Sequence, residues 1–152
     1  MNLQDMSQMR RRAWLAVAVW AVAGVGFFLA FFSGGGAGDF ADDSYRHLAT
    51  AGAVAFGFVG WWAALWLTRR PGGRVAMDER DLQVAARAGQ ATLVVVLVAI
   101  YAFTVGLWTL FEGAGAVPVG WMWFLAYASV ILASLTNAMA VLVLDGRMGG
   151  RG

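Results

Sequence analysis

The side chains that could bind a metal ion are concentrated in one short, glycine-rich segment. This segment contains Asp39, Asp42, Asp43 and His47. Carboxylate oxygens and an imidazole nitrogen are ligands for divalent cations, so these four residues are the candidates for a metal site if the segment folds inward. A simpler interpretation is that Asp43 or Ser44 caps a following helix and that His47 lies in its first turn. We therefore expect no metal ion and no cofactor.

Other chemistry is restricted by the residues that the chain lacks. It contains no Cys and no Lys, and it has a single His. These absences exclude a disulfide, a cysteine metal site, a lysine-containing phosphate loop and haem held by two histidines of one chain. The usual combination of nucleophile, base and acid is also missing. The sequence therefore predicts a protein that is not an enzyme and that binds no nucleic acid.

The hydrophobic residues fall into four long blocks. They make up 61% of the chain, and only 13% of the residues are charged. The blocks cover about 13–32, 48–68, 88–111 and 119–144, and none contains a charged residue. A bilayer core needs roughly 20 apolar residues in a helix. We predict an all-α, multi-pass membrane protein whose single domain spans residues 1–152, a four-helix bundle built from two in–out–in hairpins.

The arginines predict the orientation of this bundle. Ten of the eleven basic residues precede the first block, lie in the loop 69–87 or follow the fourth block, and the exception is Arg46. Basic residues favour the cytoplasmic side. Both termini and the loop 69–87 are therefore expected in the cytoplasm, and the loops 33–47 and 112–118 outside. Arginine without lysine is also typical of GC-rich bacterial genomes, which indicates a bacterial inner membrane.

The charged end of the loop 69–87 has features of a helix start. Asp78 is placed to cap a helix, and Asp81 follows it at the spacing of a capping box. With Glu79 they put negative charge where a helix N-terminus favours it. The third helix should therefore begin near Glu79, about two turns before the membrane. Arg80 and Arg87 are spaced to share one helix face, so this segment could contact lipid headgroups, a neighbouring helix or a partner protein.

The same segment, "MDERDLQVAARAGQAT", resembles an Asp-Glu-Arg-Asp motif in a group of small prokaryotic integral membrane proteins of unknown function. In that group the motif precedes a membrane helix and continues with an apolar residue, a basic residue and an Ala. The matching residues are Asp78, Glu79, Arg80, Asp81, Leu82, Arg87 and Ala88. Val84 stands where the group often has Ile. The resemblance covers about sixteen residues and the four-helix layout, and it implies no particular activity.

Small residues mark one face of the second predicted helix. They recur at spacings of three and four: Ala49, Ala53, Gly57, Gly60 and Ala64. Such a face allows helix backbones to approach closely, either within one chain or between chains. The two hairpins also share a Gly-rich turn, so an internal duplication stays open.

Aromatic residues are frequent near the predicted helix ends. Tryptophans often lie at membrane–water interfaces. On that basis we assign these to interfacial belts: Trp14, Trp66, Trp108, Trp121 and Trp123.

Two functional hypotheses remain, and one of them depends on polar residues inside the last two predicted helices. These residues are Gln90, Thr92, Tyr101, Thr104, Ser129, Ser134, Thr136 and Asn137. The first hypothesis is an accessory, scaffold or regulatory subunit that acts through helix–helix and loop contacts with membrane lipids and with a membrane-protein partner or a second copy. The alternative is a small oligomeric transporter or channel with a path lined by these residues. A coupling carboxylate inside the membrane, which proton-driven exporters use, is missing.

Topology is directly testable. Reporter fusions after Gly73 and after Gly152 should read cytoplasmic, and a fusion after Gly38 should read external, because the arginine bias favours that orientation. An external signal from the fusion after Gly73 would contradict the whole arrangement.

Overall fold

The fold is all-α. A computed structural model describes residues 8–68 and 79–149. Its helices are α1 (Gln8–Phe32), α2 (Ser44–Leu67), α3 (Glu79–Phe111) and α4 (Val119–Gly149), with a short 3₁₀ turn at Glu112–Ala114. All four helices are long and apolar enough to cross a membrane, and no strand occurs in the described residues. The predicted fold class is therefore confirmed.

The helices extend beyond the charge-free blocks at several ends. α1 begins at Gln8 and α2 at Ser44, each several residues before its block. α3 begins at Glu79, as expected from the run of acidic residues. Asp43 caps the start of α2 and acidic residues lie in the first turn of α3, whereas hydropathy only marks the apolar part of each helix. The predicted cap Asp78, like the rest of 69–78, lies outside the described residues.

α1 is the central helix of the bundle. It packs against α2 on one side and α4 on another, while α3 packs mainly along α4. One third of the apolar span of α1 is buried, 33%, against 6% for α3. The buried side chains of α1 include Trp20, Phe27 and Phe31. α3 is therefore a peripheral helix held along one side.

Both hairpin connections lie at the same end of the bundle. α1 and α4 run antiparallel, since Ala13 and Val141 belong to one small core while Phe31 contacts Trp121 at the other end. We call the end with the connections 33–43 and 112–118 the loop end, and the opposite one the terminal end. At the terminal end the Gln8 side chain donates to the Thr68 carbonyl at 2.7 Å, which ties the start of α1 to the end of α2.

The small-residue face of α2 packs against α1 of the same chain. A Cβ atom on Gly57 would lie 2.6 Å from the ring of Trp20, and one on Gly60 would lie 2.9 Å from Val19. Ala64 is buried, while Ala49 and Ala53 are half-buried. Both glycines are thus required by the close approach of the two helices.

Gly57 and Gly52 offer a matched test of this close contact between α1 and α2, which we call the glycine seam. Gly57→Leu should lower the melting temperature in detergent, because overpacking a filled contact costs about 1–3 kcal/mol. Gly52→Leu, on the same helix with nothing within 4 Å of its added Cβ, should leave the melting temperature nearly unchanged. Equal effects of the two substitutions would contradict the seam.

Candidate functional site

The Asp-Glu-Arg-Asp segment is joined to α4 at the terminal end. The Arg80 guanidinium forms an ion pair with the Asp145 carboxylate at 3.3 Å, and it also donates to the Asp145 carbonyl at 3.2 Å. Glu79 and Arg87 are exposed and Asp81 is half-buried. Exposed ion pairs contribute about 0–1 kcal/mol, so this contact orients the start of α3 more than it stabilises the fold.

The four residues named as candidates for a metal site have separate positions in the structure. The Asp43 carboxylate accepts from the Arg46 backbone N–H at 3.1 Å and caps α2, as predicted. His47 lies in the first turn of α2, also as predicted, between the rings of Phe40 and Trp123. Asp39 and Asp42 are exposed. Within 8–68 and 79–149, no three His, Cys, Asp or Glu side chains form a group that could hold a metal ion.

Hydroxyl groups of α3 and α4 form hydrogen bonds within their own helices. Four of their hydroxyl groups donate to carbonyls one turn earlier in their own helix, at 2.8–2.9 Å: Thr92, Thr104, Ser129 and Ser134. Gln90, Tyr101 and Asn137 are exposed, and Thr136 is half-buried. Hydroxyls used in this way satisfy themselves within the helix. These hydroxyl groups therefore need no partner outside their own helix, and the polar path stays a hypothesis.

The most unusual polar group of the described chain is one that sequence analysis placed in an outer loop. Arg46 is only 2% exposed, in the first turn of α2. Its Nη2 atom donates to the backbone carbonyls of Phe31 and Gly36, the second at 2.9 Å. The carbonyls of the last turn of a helix have no partner within it, and a cation near a helix C-terminus is favoured by the helix dipole. Arg46 thus caps α1 with a side chain from α2.

Two aromatic rings enclose the guanidinium of Arg46. Its central carbon lies 5.1 Å from the ring centre of Phe40 and 5.9 Å from that of Phe31. A cation over an aromatic face within about 6 Å is attracted by the ring quadrupole. Among the described residues no carboxylate forms an ion pair with Arg46. The cation is therefore held by carbonyls and rings.

The connection between α1 and α2 is folded around this arginine. Gly35 and Gly36 have φ angles of +107° and +93°, a backbone conformation that side chains rarely adopt. The turn brings the Gly36 carbonyl to Arg46, and it returns Ala37 and Phe40 to the bundle, where both are buried. These two residues press against Gly120 in the first turn of α4, where any side chain would collide with them.

An aromatic cluster formed by α1, α3 and α4 contains Phe31, one of the two rings that contact Arg46. Phe124 is its centre, with ring centres of Phe31 at 5.0 Å, Phe103 at 5.5 Å and Trp121 at 5.7 Å. Trp123 extends the cluster, and its indole N–H donates to Thr50 at 3.2 Å. Trp121 and Trp123, predicted to lie in interfacial belts, are half-buried in this packing.

The remaining tryptophans differ from these two. Trp14, Trp66 and Trp108 are 49–67% exposed. This exposure is what an interfacial belt requires.

A sequence signal for the arginine did exist. Arg46 alone opposes the charge bias of the chain, and it follows a run of glycines and a Phe. An isolated basic residue on the side that disfavours it suggests a structural partner, although nothing in the sequence identifies backbone carbonyls as that partner.

Replacing Arg46 tests its role as a cap. Arg46→Met keeps most of the side-chain volume but removes the charge-assisted hydrogen bonds, each worth about 1.5–3 kcal/mol. The melting temperature in detergent should fall clearly. Arg11→Met makes the same change at an exposed position of α1 and should be nearly silent. A silent Arg46→Met would contradict the cap.

Comparison with protein-family models, curated proteins and solved structures found no match to this chain. The resemblance of residues 77–92 to the Asp-Glu-Arg-Asp group therefore stays a prediction.

Proposed function

We propose that this protein is a non-enzymatic membrane subunit that acts by binding another membrane protein, with α3 as the contact helix. The observation that supports this proposal is the one-sided attachment of α3. Only 6% of its apolar span is buried within the chain, against 33% for α1, which packs on both α2 and α4. A helix with so much free apolar surface can be covered by lipid or by a partner helix without disturbing the core.

The exposed surface of α3 is suited to a helix partner. Its large exposed residues include Leu93, Val94, Leu97, Val98 and Tyr101. Gly89 and Gly106 on the same helix have nothing within 4 Å of an added Cβ. Small residues beside large apolar ones allow close helix packing in a membrane.

The start of α3 adds a charged element to this surface. α3 begins at Glu79, ahead of the charge-free part of the helix, and Arg80 is fixed by Asp145. Glu79 and Arg87 are exposed beside it. We call this charged start of α3 the charged rim. Complementary charges at the edge of an interface select partners more than they add affinity.

We further propose that the termini and the loop 69–87 face the cytoplasm of a bacterial cell and that the membrane is the inner membrane. The arginine bias supports the orientation. The resemblance of the Asp-Glu-Arg-Asp segment to small prokaryotic membrane proteins supports the cellular origin. Both hairpin connections lie at one end of the bundle, which is compatible with two in–out–in hairpins.

Site-specific photocrosslinking in native membranes tests the contact helix. A benzophenone amino acid at Leu97 of α3 should give a discrete protein adduct, because the proposed partner covers this face. Val59 on α2 is similarly exposed, 67% against 57% for Leu97, and serves as the control that should give lipid adducts only. Lipid adducts alone at both positions, or the same protein adduct at both, would reject α3 as a specific contact.

The charged rim can be tested in the same experiment. Glu79→Arg combined with Asp81→Arg should weaken the adduct at Leu97 if the rim selects the partner. The fold should lose only about 0.3–1 kcal/mol per site through the helix dipole. An unchanged adduct would leave these residues with a role in capping and topology only.

A further inference from the structure

We propose that Arg46 binds the phosphodiester group of a membrane lipid at the loop end of the bundle. The starting point is the set of N–H groups that the guanidinium does not use. Nη2 donates to Phe31 and Gly36, but Nε and Nη1 have no acceptor in the structure although both are buried. Nη1 lies on the Cδ side of the guanidinium and Nε–H points to the opposite edge, so the two N–H groups of Nη1 are the donors that a phosphate oxygen can accept from.

A buried cation with unused donors calls for an oxygen ligand of opposite charge. Leaving charged donors buried without acceptors is among the costly arrangements in a protein. Among the described residues, the ion pair at Arg80 and Asp145 belongs to the opposite end, and no carboxylate pairs with Arg46. The two carbonyls accept from Nη2, and the centres of the two aromatic rings lie 5.1 and 5.9 Å from the guanidinium carbon. Nη1 is left for a ligand.

Gly34 covers that other side. A Cβ atom on Gly34 would lie 3.1 Å from Cδ of Arg46 and 3.4 Å from both Nε and Nη1. Gly34 is itself exposed, so Nη1 lies behind a residue without a side chain. The neighbouring Gly35 and Gly36 give this segment the backbone freedom to move aside. The proposed site is thus the guanidinium of Arg46, with Gly34 lying against it.

The position of Arg46 favours a lipid over a free anion. Tyr45 and Leu48 flank it on α2, 78% and 74% exposed, and Leu48 opens the charge-free block. Tyrosine at the start of a membrane span is typical of the headgroup level. Asp39 and Asp42 are exposed on the same connection and repel anions that arrive from water. A lipid phosphodiester carries a single negative charge and reaches Arg46 from the membrane side.

The test uses the full-length protein in a phosphate-free maltoside detergent. Dihexanoyl phosphatidylglycerol is titrated while the melting temperature and the NMR resonance of the Arg46 Nε–H are followed. Wild type should show a saturable rise in melting temperature and a saturable shift of that resonance. Neutral dihexanoyl glycerol, which lacks the phosphate, should produce neither change.

Two glycine variants separate this site from general lipid effects. Gly34→Ala puts a methyl group 3.4 Å from Nη1, so the apparent affinity should fall about tenfold or more, the loss of one good charge-assisted bond. Gly38→Ala lies on the same connection with nothing within 4 Å of its Cβ and should bind like wild type. Arg46→Met should lose the response altogether.

Each other result would overturn the proposal. A response of equal size in wild type, Gly34→Ala and Arg46→Met would mean that the lipid acts elsewhere. No response in wild type would mean that water satisfies the unused donors. A saturable response to inorganic phosphate at similar concentration would replace the lipid by a free oxyanion as the ligand.

Discussion

The bundle depends on how the carboxyl end of its central helix is satisfied. α1 packs against both α2 and α4, and its last carbonyls have no partner within the helix. The Ser33 hydroxyl supplies one, to Ala30 at 3.0 Å, and Arg46 supplies the other, to Phe31. Because Arg46 also binds Gly36, the same side chain fixes the helix end, the turn after it and the start of α2. The placement of Phe40 over the aromatic cluster follows from that one contact.

The architecture could be predicted from the sequence because it follows from local rules. The charge-free blocks mark four helices, and Asp43 and Glu79 mark two of their starts through capping and the helix dipole. The arrangement around Arg46 could not be predicted in the same way. Its acceptors are backbone atoms 10 and 15 residues earlier in the chain, brought to it by glycines with positive φ. Charge and hydropathy place an arginine outside the apolar blocks in a loop, whatever its backbone partners are.

The tryptophans show the same difference between what local rules predict and what tertiary packing decides. Trp66 and Trp108 are exposed at helix ends, as amphipathic side chains at an interface are expected to be. Trp121 and Trp123 have the same position in the sequence pattern, yet Phe31 and Phe40 pack against them. Which tryptophan is covered is decided by the path of the connection between α1 and α2, and that path is a tertiary property. The path of this connection cannot be predicted from hydropathy and sequence position alone.

The contact between the first and last helices has a consequence for biogenesis. α1 and α2 are made first, and their glycine seam allows them to pair as soon as both are in the membrane. The other face of α1, with Phe27 and Phe31, packs against residues of α4 such as Phe124, which are synthesised after α3. Until α4 has been made, this aromatic face has only lipid or an assembly factor to cover it. A truncated nascent chain would therefore present the very surface that the finished protein hides most completely.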